Sequence, residues 1–430
     1  MSLAVAILLL SIWGFLMYRY GRSILFPPAL IATVWAVTIA AIWLCGDIYF
    51  PLTSTALDIV LVGVFAFSVG SLLAVHAPVR VRHTISGASA FRRSQIDRYL
   101  NWAVVLMVLN LPFFFLYLKS LSGSIAPRES MWKQVRIASN KANVSGGGVS
   151  HIESMLLPFL SIVALIAVCE YADTGKKRWR TALIVLMAAG YQMVNGARSE
   201  VLLVLVSCVV LLWLRRGIPP TRLLVSVGLT FLFVFAVNQV AMNKYGAGPG
   251  ASFEDNLPRV AEGFGTYWLG GIIAFDQNRQ NPELRYGWEL GKFVKRIADK
   301  FGANFPERDR NLAYTKISAT QITNVYTVFL PLYMDHGGMV GVIWLTGIVG
   351  FLACYVYRCA IHGSTWAVFT AGAFIFATLM TIFSEEFFAQ VMFWVKAATV
   401  STLVYHLPSI RFGPREPIVE VLAPEVPVCA

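Results

Sequence analysis

The chain has 430 residues, of which 57% are hydrophobic and only 13% charged, and its mean hydropathy is +0.65. A soluble domain carries about 25% charged residues, so a water-facing shell around a chain of this length is excluded and lipid must cover most of the surface. The formal charge of +12 would suggest a nucleic-acid partner in a soluble protein, but in a membrane protein Lys and Arg first report topology and contact with lipid phosphate; no nucleic-acid partner is expected.

Apolar runs long enough, or nearly so, to cross about 30 Å of hydrocarbon occur near residues 2–17, 24–44, 57–77, 99–118, 152–171, 181–196, 199–214, 222–242, 339–357, 365–383 and 387–406. They predict an all-α polytopic integral membrane protein with about eleven transmembrane helices. The first run has no basic residue ahead of it and is followed by Arg19 and Arg22, which predicts a retained helix with its N-terminus outside rather than a cleaved signal. No internal repeat is evident. The cysteines are scattered, five of them (Cys45, Cys169, Cys208, Cys354, Cys359) in or beside apolar runs without Cys-x-x-Cys spacing, so they are expected to be small core residues with no disulfide.

The short connections sort by charge. Arg80 to Arg98, Lys176 to Arg180 and Arg215 to Arg222 carry five, four and three basic residues and fall on one side of the predicted membrane. That side is the cytoplasm by the positive-inside rule. The opposite short connections, such as 45–56 and the Ser384-Glu385-Glu386 turn, are nearly free of Lys and Arg, with Arg198 the exception. The expected organisation is one transmembrane domain over 1–406 with large external loops near 119–151 and 243–338. The proline-containing segment 407–430 is expected to be a disordered cytoplasmic tail.

The two loops hold sixteen of the 35 Lys and Arg, which long translocated loops tolerate. In the first, Met131, Val135, Ala138 and Ala142 recur at helical spacing beside Arg128, Lys133, Arg136 and Lys141. In the second, Leu290, Val294, Ile297 and Phe301 form a stripe with Trp288 at its edge and Lys292, Lys295, Arg296 and Lys300 alongside. Each predicts a basic amphipathic helix in the outer headgroup layer. Such helices either rest their cations on phospholipid phosphate or build a water-accessible site.

Arg198, in Asn195-Gly196-Ala197-Arg198-Ser199-Glu200, lies between two runs of about sixteen residues, short enough to recess the hairpin tip. Its guanidinium is shaped to grip phosphate oxygens with paired hydrogen bonds, or it pairs with Glu200. Asp335 and His336 precede the span starting near 339, where backbone N–H groups favour negative charge; Asp335 is either a cap or a reactive carboxylate, and His336 a base, a cation or a spectator. The Ser384-Glu385-Glu386 turn is expected to open the last span, where Glu385, Ala389, Met392 and Lys396 share one helix face. Lys396 near mid-membrane then needs an ion pair or a polar cavity.

Asn195-Gly196-Ala197-Arg198-Ser199, and Thr323-Asn324-Val325-Tyr326-Thr327 followed by Pro331-Leu332-Tyr333-Met334-Asp335-His336-Gly337-Gly338-Met339-Val340-Gly341, together resemble the oligosaccharide repeat unit polymerases, the Wzy-type O-antigen polymerases of bacterial surface polysaccharide. The span pattern is similar over most of the chain, and the sequence around 190–216 and 320–350. Some members carry Arg-x10-Gly in two large periplasmic loops, and Arg136 to Gly147 and Arg259 to Gly270 fit that spacing. Where the family often has Asp, an aromatic and Gly, this chain has Asp335-His336-Gly337.

The resemblance implies a GT-C-like enzyme of the bacterial inner membrane whose site faces the periplasm. It would join undecaprenyl-diphosphate-linked oligosaccharides, the hydroxyl of one repeat attacking the anomeric carbon of the other chain and releasing lipid diphosphate. It also implies a chain-length regulator and a flippase as partners, and no metal, cofactor or nucleotide sugar, in keeping with the lack of an Asp-x-Asp pair. Stabilising the leaving diphosphate needs fixed positive charge, for which Arg198, Arg136, Arg259 and Arg296 are the candidates. Taking the acceptor's proton needs a carboxylate or imidazole, for which Asp335, Glu385 and His336 are the candidates. Asn324 and Tyr326 are candidate glycan contacts. An O-antigen ligase using the same donor, a flippase or transporter of lipid-linked sugars, and a noncatalytic assembly partner remain the competing readings. Sparse mid-membrane polarity favours one-sided chemistry over alternating access.

Overall fold

The computed structural model describes residues 1–79, 81, 83–85, 90–123, 151–194, 198–218, 221–222, 225–226, 228–229, 232, 253–281, 302, 314–384 and 386–406. Within them the chain forms helices α1 (Leu3–Gly21), α2 (Pro27–Leu44), α3 (Ser54–His76), α4 (Ala90–Gly123), α5 (His151–Thr174), α6 (Arg178–Val194), α7 (Arg198–Arg216), α8 (Phe253–Asn278), α9 (Phe329–Asp335), α10 (Met339–Ile361), α11 (Thr365–Met380) and α12 (Val391–His406). A two-stranded antiparallel hairpin, β1 (Thr315–Lys316) and β2 (Ile322–Thr323), lies between α8 and α9. The protein is mostly helical, and among the described residues α1, α2, α3 and α10 are long and apolar enough to cross a membrane, with mean hydropathies of 1.7, 1.8, 2.2 and 2.1.

Local sequence sets the helix starts. Ser2 accepts from the Val5 N–H and Thr53 from the Ala56 N–H, so each caps a following helix. Pro27 and Pro28 occupy the first turn of α2, where their missing N–H groups cost nothing. The outer faces of α1 (Leu8, Ile12, Phe15) and α4 (Trp102, Leu106, Leu109, Phe113) stay exposed. A helix apolar on the outside as well as the inside belongs in hydrocarbon.

The most extensive helix pairing is between α3 and α10, which run parallel. Phe329 lies over Gly63, Gly70 against the Gly347 carbonyl, and Gly350 against the Phe67 carbonyl. Ser71 donates to the Gly350 carbonyl at 3.0 Å. Glycines remove the side-chain layer and let the two backbones touch, which is how helices associate where no water drives them together. A Cβ at Gly70 or Gly350 would overlap the facing backbone.

The basic connections meet at one end of the bundle. Asp173 at the end of α5 accepts from Arg93 of α4 at 3.0 Å and from Arg215 of α7 at 2.7 Å. Asp97 pairs with Lys177 and, at 2.6 Å, with Arg180. Arg92 donates to the Val404 and Leu403 carbonyls near the end of α12, and Arg358 to those of Ala74 and Ala77 at the end of α3. These arginines add donors to carbonyls at the helix ends, where intrahelical donors run out.

Three expectations change. The last helix begins at Val391, not at the acidic turn, because the chain folds back after α11 and Phe383 and Ser384 both donate to the Met380 carbonyl. Ala389 therefore precedes α12 and does not share its face with Met392 and Lys396, and Glu385 lies outside the described residues. Asp335 ends α9, and the residue capping α10 is Gly338 with φ +70°, so Asp335 is not the cap of α10. The segment 253–278, expected to be loop, is the long helix α8. The predicted amphipathic helices at 131–142 and 288–301, the span 222–242 for most of its length and the tail 407–430 lie outside the described residues.

Candidate functional site at the end opposite the basic connections

Helix α8 and the 315–323 hairpin pack over the far ends of α2 and α3. Asp276 near the end of α8 has a side chain 2% exposed and accepts from the Thr53 N–H at 2.7 Å, the Thr53 hydroxyl at 2.6 Å and Arg279 at 3.1 Å. The same residue that caps α3 is thereby tied to α8. Trp268 donates its indole N–H to Thr38 of α2 at 3.1 Å, and Tyr49 lies against Gly265. Burial, with Cys45 and Glu262 nearby, pushes the Tyr49 hydroxyl up to about 12, so it stays protonated.

The hairpin is fixed to this platform. The Phe50 N–H donates to the Ile317 carbonyl at 2.9 Å, and Thr266 donates to Gln321, whose amide donates to Glu262 at 3.0 Å. Asn278 donates to Thr315 at 2.6 Å, and the Thr315 and Tyr326 hydroxyls are hydrogen-bonded at 2.7 Å. Gly270 sits where a Cβ would be 2.8 Å from the Ile317 side chain, so this glycine of the Arg259 to Gly270 spacing serves close packing.

Beyond the hairpin, Asn324 is exposed and Tyr326 is 4% exposed. The Val328 N–H then donates to the Thr381 carbonyl at 2.9 Å, and a Cβ at Gly271 of α8 would stand 2.6 Å from the Ile382 carbonyl. The segment leading into α9 and helix α8 thus both rest on the turn after α11. Between α9 and α10, Gly337 and Gly338 take φ of +85° and +70°, which an L side chain rarely adopts. His336 lies against Gly341, and its Nε2 is buried without a hydrogen-bond partner among the described residues. Asp335 is half-buried beside it.

The turn 381–390 also reaches α7. Gln390, 8% exposed, donates through one amide nitrogen to Glu200 Oε1 and to Glu386 Oε2, both at 3.0 Å, and the Ser384 hydroxyl donates to Glu386 Oε1 at 2.9 Å. Burial pushes the Glu386 carboxyl above the usual carboxylate range, against the opposing hydrogen bonds of Gln390 and Ser384.

Of the predicted site residues, Asp335, His336, Asn324 and Tyr326 all lie in the 324–336 segment at this end. Arg198 and Arg259 are described only as backbone, in the first turn of α7 and within α8; Arg136, Arg296 and Glu385 lie outside the described residues. Lys396 of α12 is half-buried and makes no ion pair among the described residues. No group of three or more His, Cys, Asp or Glu that could hold a metal ion occurs among the described residues.

Gln390, Asp276 and Thr53 carry this end, and sequence reasoning did not single them out. Glu386 and Gln390 are four residues apart, a spacing that hints at the hydrogen bond between them, but the link to Glu200 has no local signature. Comparison with known proteins finds no matching family model, no matching curated protein and no matching solved structure.

Proposed function

We propose that the chain is an oligosaccharide repeat unit polymerase of the Wzy type, transferring a growing glycan from one undecaprenyl diphosphate to the hydroxyl of the next lipid-linked repeat. In this reading about eleven spans place the basic end in the cytoplasm and the α8 end at the periplasmic face of a bacterial inner membrane, as the charge partition favours. One observation carries it. The two polymerase-like stretches, far apart in sequence, meet on a single turn: Val328 bonds to Thr381, and Glu200 bonds to Gln390.

Opening the glycosidic bond to a diphosphate leaves negative charge on the departing lipid, and permanently charged guanidiniums stabilise it without metal or proton transfer. Arg198 is assigned this role, with Arg259 of α8 and with Arg136 and Arg296 supplying further contacts. The acceptor hydroxyl loses its proton to one of Asp335, His336 and Glu385. Exposed Asn324 is available to sugar hydroxyls, and the buried Tyr326 ties the segment to the hairpin through Thr315. A chain-length regulator and a flippase are the partners that such a reaction calls for.

The test is genetic. In a strain lacking its own copy, Arg198→Ala abolishes the ladder of polysaccharide lengths while the protein level stays unchanged; a normal ladder removes the role given to Arg198.

A further inference from the structure

Glu200 and Glu386, both partly buried, accept from the same amide nitrogen of Gln390, and the proposed function draws only on the first of these two bonds. Glu200 stands in the first turn of α7, while Glu386 and Gln390 belong to the turn between α11 and α12. One NH2 group has two hydrogens, and here one goes to each carboxylate at 3.0 Å. The two acids therefore face each other across a single neutral donor.

Among the described side chains, the charged groups near this end of α7, the turn and α12 are few. Glu200 comes from α7, Glu386 from the turn and Lys396 from α12, and among the described residues no ion pair joins Lys396 to either carboxylate. Helix α11, the neighbour of α7, carries no charged residue. Arg198 and Glu385, the nearest charged residues in sequence, lie outside the described side chains.

We infer that Glu200 and Glu386 share one proton at neutral pH and so form a pH-sensitive latch between α7 and the turn 381–390. Two like charges held on one buried donor repel, and the arrangement relieves this by keeping a single proton for the pair. With that proton the pair carries one negative charge, which the Gln390 amide and the Ser384 hydroxyl accommodate. Without it both acids are ionised, the turn is driven from α7, and the floor under Val328 and Gly271 moves with it.

The sign follows from linkage. Glu386 is raised in the folded protein, so its contribution to stability is complete below the unfolded value of about 4.3 and is lost as pH rises through the folded value. Glutamine copies the protonated acid in shape and charge. Glu200→Gln and Glu386→Gln should each melt several degrees above the unaltered protein at about pH 9 and close to it at about pH 5.

Thermal unfolding of the full chain in detergent across that range, with infrared difference spectra at neutral pH, tests the latch without needing any enzymatic activity. A protonated-carboxyl band present in the unaltered protein and lost in Glu200→Gln or Glu386→Gln is the expected result. The latch is overturned if that band is absent from the unaltered protein, or if both variants melt lower at every pH, as they would were the carboxylates needed in charged form.

Discussion

The backbone N–H of Val328 donates to the carbonyl of Thr381 at 2.9 Å. This one bond sets the chain that enters α9 and α10 on the turn that leaves α11, and Gly271 of α8 approaches the next carbonyl of the same turn, that of Ile382. Three elements from distant parts of the sequence are therefore held within one residue of each other.

Gly271→Ala tests that contact. The new Cβ would stand 2.6 Å from the Ile382 carbonyl oxygen, backbone on both sides, so the chain must shift at a cost of about 1–3 kcal/mol. A clear drop in melting temperature is expected. Gly190→Ala in α6, where nothing lies within 4 Å, is the control and should be neutral or stabilising by about 0.5–1 kcal/mol.

Asp276→Ala removes the acceptor for both the N–H and the hydroxyl of Thr53 and leaves Arg279, whose side chain is 13% exposed, without its carboxylate. Breaking a buried pair from one side costs about 3–5 kcal/mol. Asp276→Asn, which keeps an oxygen for Thr53, should cost less. Thermal unfolding of the purified protein orders the three: unaltered, Asn, Ala. Equal melting of the Ala variant and the unaltered protein would contradict the role of this carboxylate as the tie between α3 and α8.

At the basic end, burial alone would raise the Asp97 carboxyl, but hydrogen bonds and charge from Lys177 and Arg180 outweigh it and hold it below the usual range. The stabilisation is present above the unfolded value of about 3.9 and is lost as pH falls through the lower folded value. Asp97 is 37% exposed, so solvent screens the effect and a modest change is expected. Melting temperature should fall on acidification through that window in the unaltered protein, and less so in Asp97→Asn.

Much of this fold is legible in the sequence because hydrocarbon imposes coarse rules. Long apolar runs mark α1, α2, α3 and α10, and the scarcity of charge makes the Arg93, Lys177 and Arg215 connections recognisable as one end. Helix α8 is not legible in that way, since Gly263, Gly265, Gly270 and Gly271 interrupt its apolar residues and its burial depends on the hairpin packed over it. The start of α12 is misjudged from sequence because Phe387 and Phe388 extend the apolar run backward, whereas the chain is still turning there. Gln390 has no charge to draw notice, and its partnership with Glu200 exists only once α7 and the turn are side by side.

The central claim is tested most directly by incubating the purified, folded protein with a synthetic undecaprenyl-diphosphate repeat unit, without metal or nucleotide, and resolving the products by length. The account predicts a ladder of polymers with release of lipid diphosphate, lost in Arg198→Ala. Unextended repeat units after incubation with the folded, unaltered protein would contradict it.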